Sequence, residues 1–475
     1  MGYQTGLKNL FEKWSGEKVK SFSPLPESGS ARKYFRIAGT TKAAIGAFNP
    51  DKQENRSFIY LSNHFRKQKL NVPKILGADL DKHIYLVEDL GDKTLFSIIE
   101  SSAEKLFEGD ELTDIYEKVV EALPRFQITG AKKLNFSKCY PDQSFGKESM
   151  LRDLNYFKYY FLKPFNIVFN EKKLDDDFDT FANFLLKADT SYFMYRDFNP
   201  RNIMIKNGAP YFIDYQGGRK GALQYDIASF LFSSKANFSS KTREELLQLY
   251  LKSAGRIKKI DKKRFLKYYY AYLLIRILQM LGAYGYRGYF EGKSHFLKSI
   301  PYAVKNLEWL LKNHKPKIKT PELFISFQQI FNSPELKKFS SGNSDPGKLN
   351  VRINSFSYRK KLPADLTGNG GGFVFDCRAI PNPGRLEKYK DLNGRDKEVK
   401  DFLDAQPEAR NFVKETFDLI GKSVEKYLNK SWTDLMVNYG CTGGQHRSVY
   451  CAERLAEHLR SNENIHVILV HTNLD

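Results

Sequence analysis

The stretch that most constrains this chain is Tyr195–Asp214, which reads Tyr-Arg-Asp-Phe-Asn-Pro-Arg-Asn-Ile-Met-Ile-Lys-Asn-Gly-Ala-Pro-Tyr-Phe-Ile-Asp. Two short apolar runs, Ile203–Ile205 and Tyr211–Ile213, flank a Lys-Asn-Gly turn, the pattern of a tight β-hairpin. A hairpin is a rigid mount, and Asp197, Asn202 and Asp214 stand around this one. Phosphoryl transfer needs a carboxylate near the acceptor hydroxyl, plus an amide oxygen and a second carboxylate to hold Mg²⁺ on the phosphates of ATP. Asp197, Asn202 and Asp214 fit those three roles in that order. A D-x4-N string alone is common in loops; the two strands and the terminal Asp give it meaning.

The same spacing resembles the catalytic and metal-binding loops of the protein-kinase superfamily. The wording Arg-Asp-Phe-x-x-Arg-Asn-Ile-Met, with Ile-Asp-Tyr-Gln-Gly after it, is most similar to the aminoglycoside phosphotransferase and choline kinase branch. Two departures stand out: Tyr195 replaces the usual His, and no Asp-Phe-Gly follows the strand. The His organises backbone in that fold, so Tyr195 bears on loop geometry more than on chemistry. The resemblance implies a two-lobed α+β domain over residues 1–335, with the small lobe ending near residue 90. It also implies Asp197 as catalytic base, Asn202 and Asp214 on the metal, and ATP and Mg²⁺ as cofactors. Tyr225-Asp226-Ile227 is similar to the family's helix start, where an Asp braces the catalytic loop. Asp226 equally suits a helix N-terminus on dipole grounds.

Ahead of the hairpin, Leu7, Leu10, Phe11 and Trp14 recur at helical spacing. Strands at Val19–Leu25 and Lys33–Ile37 should follow, joined by Pro-Glu-Ser-Gly-Ser-Ala-Arg. In a kinase-like fold such a turn lays N–H groups over ATP phosphates, which makes Ser28, Gly29, Ser30 and Arg32 candidates; an ordinary hairpin turn reads the same. A third strand, Ala43–Phe48, reads Ala-Ala-Ile-Gly-Ala-Phe and lacks the phosphate-binding lysine of kinases. That departure, with Arg-x-Tyr-Phe-Arg before it, is similar to the N-acetylmuramate/N-acetylglucosamine anomeric kinases. Arg32, Lys33 or Arg36 could replace the charge. A helix over Asp51–Lys69 and strands at Ile75–Ala78 and His83–Asp89 complete the small lobe. In related kinases the ending Glu88-Asp89-Leu90-Gly91 is the hinge whose backbone pairs with adenine, so Glu88 and Leu90 are candidates; a plain strand exit is the alternative.

Residues 94–187 read as helical, with an aromatic stripe at Tyr156–Phe161 that suits a core better than a sugar platform. Further helices are expected at Lys241–Ser253 and Phe265–Tyr289. A chain of 475 residues should hold more than one domain. No run of ~18 apolar residues appears and no signal-like opening, so the expectation is a soluble, cytoplasmic protein with no membrane association. Cys139, Cys377, Cys441 and Cys451 have no CxxC spacing and read as reduced thiols. The net charge is +21; from Val351 onward 19 Lys and Arg against 17 Asp and Glu leave +2, so +19 lies in the first 350 residues. Basic clusters near Lys258–Arg264 and Lys312–Lys319, interleaved with aromatics, could contact RNA, although solvated helix faces explain such clusters more often.

Residues 336–350 are polar and rich in Gly and Pro, a linker. Beyond it, residues 351–475 have the rhythm of a small α/β domain: strand Phe373–Asp376, mostly helix over Val399–Tyr427, strand Asp434–Tyr439, helix Ser448–Leu459 and strand His466–His471. The turn Gly440-Cys441-Thr442-Gly443-Gly444-Gln445-His446-Arg447-Ser448 places backbone N–H groups at a helix N-terminus, an anion site to which Arg447 adds a donor. A tight turn with no ligand is the plainer alternative. Cys441-x5-Arg447-Ser448 also has the spacing of the cysteine phosphatases. The full wording, with Phe375-Asp376-Cys377-Arg378-Ala379-Ile380-Pro381-Asn382-Pro383 upstream, resembles the C-terminal domain of the RapZ RNase adapter family. That resemblance implies a glucosamine-6-phosphate pocket lined by Arg378, Asn382, Thr442, Gly443, Gly444, His446 and Arg447, with Cys441 structural. It also suggests RNA or a ribonuclease as partner, although the family's GxxxxGK[ST] P-loop half has no counterpart here. The expectation is an ATP-dependent sugar kinase, with a cell-wall amino sugar as acceptor, fused to a domain for a phosphorylated amino sugar. The alternatives are a non-catalytic regulatory or RNA-adapter protein, and a C-terminal phosphatase.

Overall fold

A computed structural model describes residues 2–26, 32–102, 109–233, 236, 238–337, 339, 348–360, 362, 363, 365, 371–430 and 432–474. Ser28, Gly29 and Ser30 lie outside the described residues. The chain divides into two compact units, Met1–Gly282 with Tyr302–Asn332, and Ala283–Pro301 with Ser333–Asp475. Among the described residues no helix is long and apolar enough to cross a membrane.

The first unit opens with α1 (Tyr3–Ser15) and an antiparallel sheet of β1 (Ser21–Pro24), β2 (Lys33–Ala38), β3 (Ala43–Phe48), β4 (Ile75–Asp79) and β5 (Ile84–Glu88), in the order β1-β2-β3-β5-β4. Leu7 and Phe11 of α1 pack on Phe35, Ile37, Ala44, Ile84 and Leu86. Gly46 permits this approach: a Cβ there would lie 2.8 Å from Ile37 Cδ1 and 3.0 Å from Leu7 Cδ2. Side chains alternate along a strand, so Tyr34, Arg36, Ile45 and Ala47 take the face away from α1. This sorts the three basic candidates. Lys33 turns toward α1, its Nζ 5.7 Å from the Tyr3 ring centre. Arg36 is drawn to Asp89 at 2.7 Å and Asp92 at 2.8 Å. Of the three, Arg32 reaches the Asp214 carboxylate after the hairpin, described below. Helix α2 (Lys52–Lys67) starts at Asp51, whose side chain accepts from the N–H groups of Gln53 and Glu54.

The region expected to be helical breaks into Leu95–Ser102, Gly109–Pro124, Lys147–Phe157 and Glu171–Leu185. In its aromatic stripe Phe157 and Phe161 are fully buried, so these rings are core. The hairpin forms as β7 (Ile203–Lys206) and β8 (Ala209–Phe212), with Ile203 opposite Phe212. Asn207 at φ 53° and Gly208 at φ 71° make the left-handed turn that suits the twist of a two-residue hairpin. Two strands of this unit escaped the sequence reading: β6 (Tyr192–Met194) and β9 (Arg219–Gly221), which pair with each other. At three residues each they are too short for an alternation to register.

In the second unit β10 (Leu349–Ser357), β11 (Phe373–Asp376), β12 (Asp434–Cys441) and β13 (Ile465–His471) form a parallel sheet in the order β11-β12-β10-β13. Strand β10 begins inside the stretch read as linker, and its run was not recognised as a strand. Central parallel strands usually read as apolar runs. Here Asn354 donates to Asn438 at 2.8 Å, Ser355 pairs with His471 at 2.9 Å, and Ser357 donates to the Thr442 carbonyl at 2.6 Å. These partners satisfy buried polar groups that broke the pattern. The mostly helical stretch expected over Val399–Tyr427 forms as two helices, Lys397–Asp404 and Pro407–Asn429, with Pro407 in the first turn of the second.

Candidate active site and anion loop

The loop after β6 is latched from below by Asp226, on the helix Gln224–Leu231. One carboxylate oxygen accepts from the Tyr195 N–H at 2.8 Å and Gln127 Nε2 at 2.9 Å; the other accepts from the Arg196 N–H at 2.9 Å. Asp226 is fully buried, and burial pushes its carboxyl up to about 6 against the pull of those donors. Arg196 sits at φ 80°, a strained backbone for a residue with a side chain. Its guanidinium grips Asp153 through two 2.7 Å bonds and the Tyr225 hydroxyl at 2.7 Å. The fully buried Tyr195 donates its hydroxyl to the Ile213 carbonyl at 2.5 Å, tying the loop to the residue before Asp214.

The three hairpin residues converge. Asn202 Nδ2 donates to the Asp197 carbonyl at 2.9 Å and to Asp214 Oδ2 at 3.2 Å. Asp214, at φ 66°, also accepts from Gln216 Nε2 at 2.5 Å. With its nitrogen so committed, Asn202 has its amide oxygen to offer, and with the Asp214 carboxylate it forms a hard oxygen set that fits Mg²⁺. Asp197 is half-buried. Desolvation raises its carboxyl above the usual carboxylate range and Asp214 adds to the rise, while Arg276, Arg196 and Arg219 pull it down.

Arg32 Nη1 lies 3.2 Å from Asp214 Oδ1, and its Nη2 lies 3.6 Å from Glu54 Oε1. Glu54 was missed because Asp51-x-x-Glu54 at a helix start reads as a capping box. Its carboxylate instead accepts from Asn49 Nδ2 at 2.6 Å and faces Arg32. Arg276 was missed too, hidden in the aromatic helix Lys262–Gly285; it donates to Ser229 at 2.9 Å. At the end of β5, Glu88 commits its N–H to the Lys74 carbonyl at 2.9 Å and its carboxylate to Lys206 at 2.8 Å. Leu90 is buried beside it in sequence.

In the second unit β12 runs into the helix Arg447–Leu459 through the glycine-rich turn. The buried Cys441 sulfur accepts from the Gly444 N–H at 3.2 Å and meets Ser448 Oγ at 3.1 Å, inside the turn. Gly444 has φ 70°, and Gly443 is exposed. His446 is anchored by its Nε2 on the Tyr389 carbonyl at 2.8 Å. Gly384, just after Asn382, lets that ring approach: a Cβ there would lie 3.1 Å from His446 Cε1. Asn382 caps its own turn by accepting from the Gly384 N–H at 3.3 Å. Arg447 is 6% exposed, donates to the carbonyls of Arg378 at 2.9 Å and Ile380 at 3.2 Å, and makes no salt bridge with a carboxylate among the described residues, although its charge helps to lower the Asp376 carboxyl. The Arg378 side chain is at the surface, paired with Asp376 at 2.6 Å. That bond holds the Asp376 carboxyl below the usual range, so Asp376 stays ionised and is poorly suited to donate a proton.

A five-stranded antiparallel sheet, a helical part and this latched loop with its hairpin define a kinase-like phosphotransferase. The model of the phosphotransferase enzyme family matches residues 21–262, and that of the RapZ C-terminal domain matches residues 349–475. The chain belongs to the phosphotransferase enzyme family and carries a RapZ C-terminal domain after it. A nucleotide-binding protein of Xanthomonas campestris pv. campestris (strain B100) is 38% identical over 123 residues, 26% of this chain and 41% of that relative. One from Nitrosomonas europaea is 36% identical over 139 residues, 29% of this chain and 46% of that relative. The chain thus spans less than half the length of these relatives. Among solved structures, the choline kinase LicA from Streptococcus pneumoniae is 14% identical, with a TM-score of 0.41 over 65% of this chain and 99% of that one. The ADP-bound aminoglycoside phosphotransferase APH(2'')-Ib is 14% identical, with a TM-score of 0.39 over 56% of this chain and 90% of that one.

Proposed function

We propose that the first unit transfers the γ-phosphoryl group of ATP to a hydroxyl of a sugar, with an amino sugar of the cell wall as acceptor, in the cytoplasm. The observation that carries this reading is the convergence of Asp197, Asn202 and Asp214 through the Asn202 amide, on a loop latched by Asp226. Asp197 takes the hydroxyl proton; a carboxyl raised by burial is a better base than an exposed one. Asn202 and Asp214 would hold Mg²⁺, which neutralises phosphate charge when bound. Arg32 and the Ser28–Gly29–Ser30 turn would take the phosphates, and the hinge at Glu88–Leu90 the adenine. A coupled assay of ADP release over a sugar panel tests this. Asp197→Asn should abolish turnover and leave nucleotide binding largely intact, and full activity in that variant would overturn the assignment.

The RapZ C-terminal domain, in the same reading, holds a phosphorylated amino sugar such as glucosamine-6-phosphate at the glycine-rich turn. The buried Arg447 without a carboxylate partner supports an anion there. Arg378, Asn382, Thr442, Gly443, Gly444 and His446 would complete the pocket, Arg378 by its backbone or by turning away from Asp376. The ionised Asp376 and the inward sulfur of Cys441 speak against a phosphatase. A second reading, a regulatory or RNA-adapter protein without turnover, is favoured by the lysine missing from β3 and the +19 carried by residues 1–350. RNA binding to such a surface would weaken steeply with salt; no RNA binding at low salt would exclude it.

A further inference from the structure

The face of β3 that lies away from α1 offers a small side chain where kinases place a lysine. Ala47 stands opposite Tyr34 of β2 and Tyr85 of β5. Into the same space comes Arg32, from just before β2, with its side chain 13% exposed. Its guanidinium donates to the Tyr34 hydroxyl at 3.2 Å, lies 3.2 Å from Asp214 and lies 3.6 Å from Glu54. Both carboxylates are held from behind, Glu54 by Asn49 at 2.6 Å and Asp214 by Gln216 at 2.5 Å. The Nε–H of Arg32 is buried and has no hydrogen-bond partner among the described residues. Kinases join a strand-borne lysine to a helix glutamate and keep both beside the aspartate that holds the metal. Arg32, Glu54 and Asp214 reproduce that three-body arrangement with the cation entering from a different strand.

We propose that Arg32 is the phosphate-contacting cation of the nucleotide site, positioned by Glu54 and Asp214 in place of the ammonium that β3 lacks. This rests on the phosphotransferase reading above. A planar fork with five N–H donors in fixed directions can bridge two carboxylates and still present a donor to a third anion.

The test is calorimetric binding of ADP to the full chain, with and without Mg²⁺, for wild type, Arg32→Met and Arg32→Lys. Arg32→Met should weaken ADP binding by about tenfold or more, and Arg32→Lys, which keeps the charge and guards against a folding failure of the first variant, by about three- to tenfold. ADP affinity within about threefold of wild type in a folded Arg32→Met, or indistinguishable from wild type in Arg32→Lys, overturns the proposal and leaves the phosphotransferase reading standing. Wild type that binds neither ADP nor a slowly hydrolysed ATP analogue overturns that reading itself.

Discussion

Removing Asp153 should unfasten the loop that carries Asp197 from a distance. Its side chain and that of Arg196 are 12% and 14% exposed, and two 2.7 Å bonds join them. In Asp153→Ala the guanidinium keeps only the Tyr225 hydroxyl and the faces of Phe145 and Tyr225, whose ring centres lie 5.2 Å from its Cζ. Breaking one side of a buried ion pair costs about 3–5 kcal/mol, because the remaining charge stays desolvated. The pair also holds the φ of 80° at Arg196, a strain of about 1–3 kcal/mol that the freed residue would relieve by moving. Asp197 is the next residue, and a shift of about 1 Å at a reacting group can cost about a hundredfold in rate. Urea unfolding followed by fluorescence, together with ADP release, reads both effects. Arg196→Met in the Asp153→Ala background removes the stranded charge, so it should restore much of the stability and little of the rate. An Asp153→Ala variant that loses less than about 1 kcal/mol, or singles that add without coupling, would refute the reasoning.

Asp226 gives a pH signature. Its folded carboxyl is raised from the ordinary 3.8 to about 6, so its contribution to stability is full below the lower value and is lost as pH rises through the higher one. Asp226→Asn should therefore flatten the pH dependence of unfolding in that window, and it should also lower turnover, since one latching N–H loses its acceptor. In the second unit, Cys441→Ser should keep affinity for glucosamine-6-phosphate, whereas Arg447→Ala should lose about 2–5 kcal/mol of it by calorimetry. The full chain should not hydrolyse p-nitrophenyl phosphate; hydrolysis abolished by Cys441→Ser would reinstate the phosphatase.

What the sequence by itself determined was local. Apolar runs around Asn207-Gly208 specify the hairpin, because that turn requires two left-handed residues and the flanking alternation has only one register. The glycine-rich turn before Arg447 was equally legible, since its geometry depends on neighbours within one strand–turn–helix. What only the tertiary structure decided was partnership across long stretches of chain. Strand alternation separates Lys33 from Arg32 and Arg36, but only packing against α1 says which face is free, and only Asp89 and Asp92 claim Arg36. Nothing in the sequence set Glu54 apart from other helix residues; its contacts with Arg32 and Asn49 did. Tyr195 looked like a defect in the loop until its hydroxyl was placed on the Ile213 carbonyl. Strand β10 went unrecognised, its first two residues read as linker, because its buried Asn and Ser residues find their partners on β12, β13 and the glycine-rich turn. Burying a polar group is costly unless a partner is present, and a partner contributed by a distant segment leaves no periodic trace in the sequence.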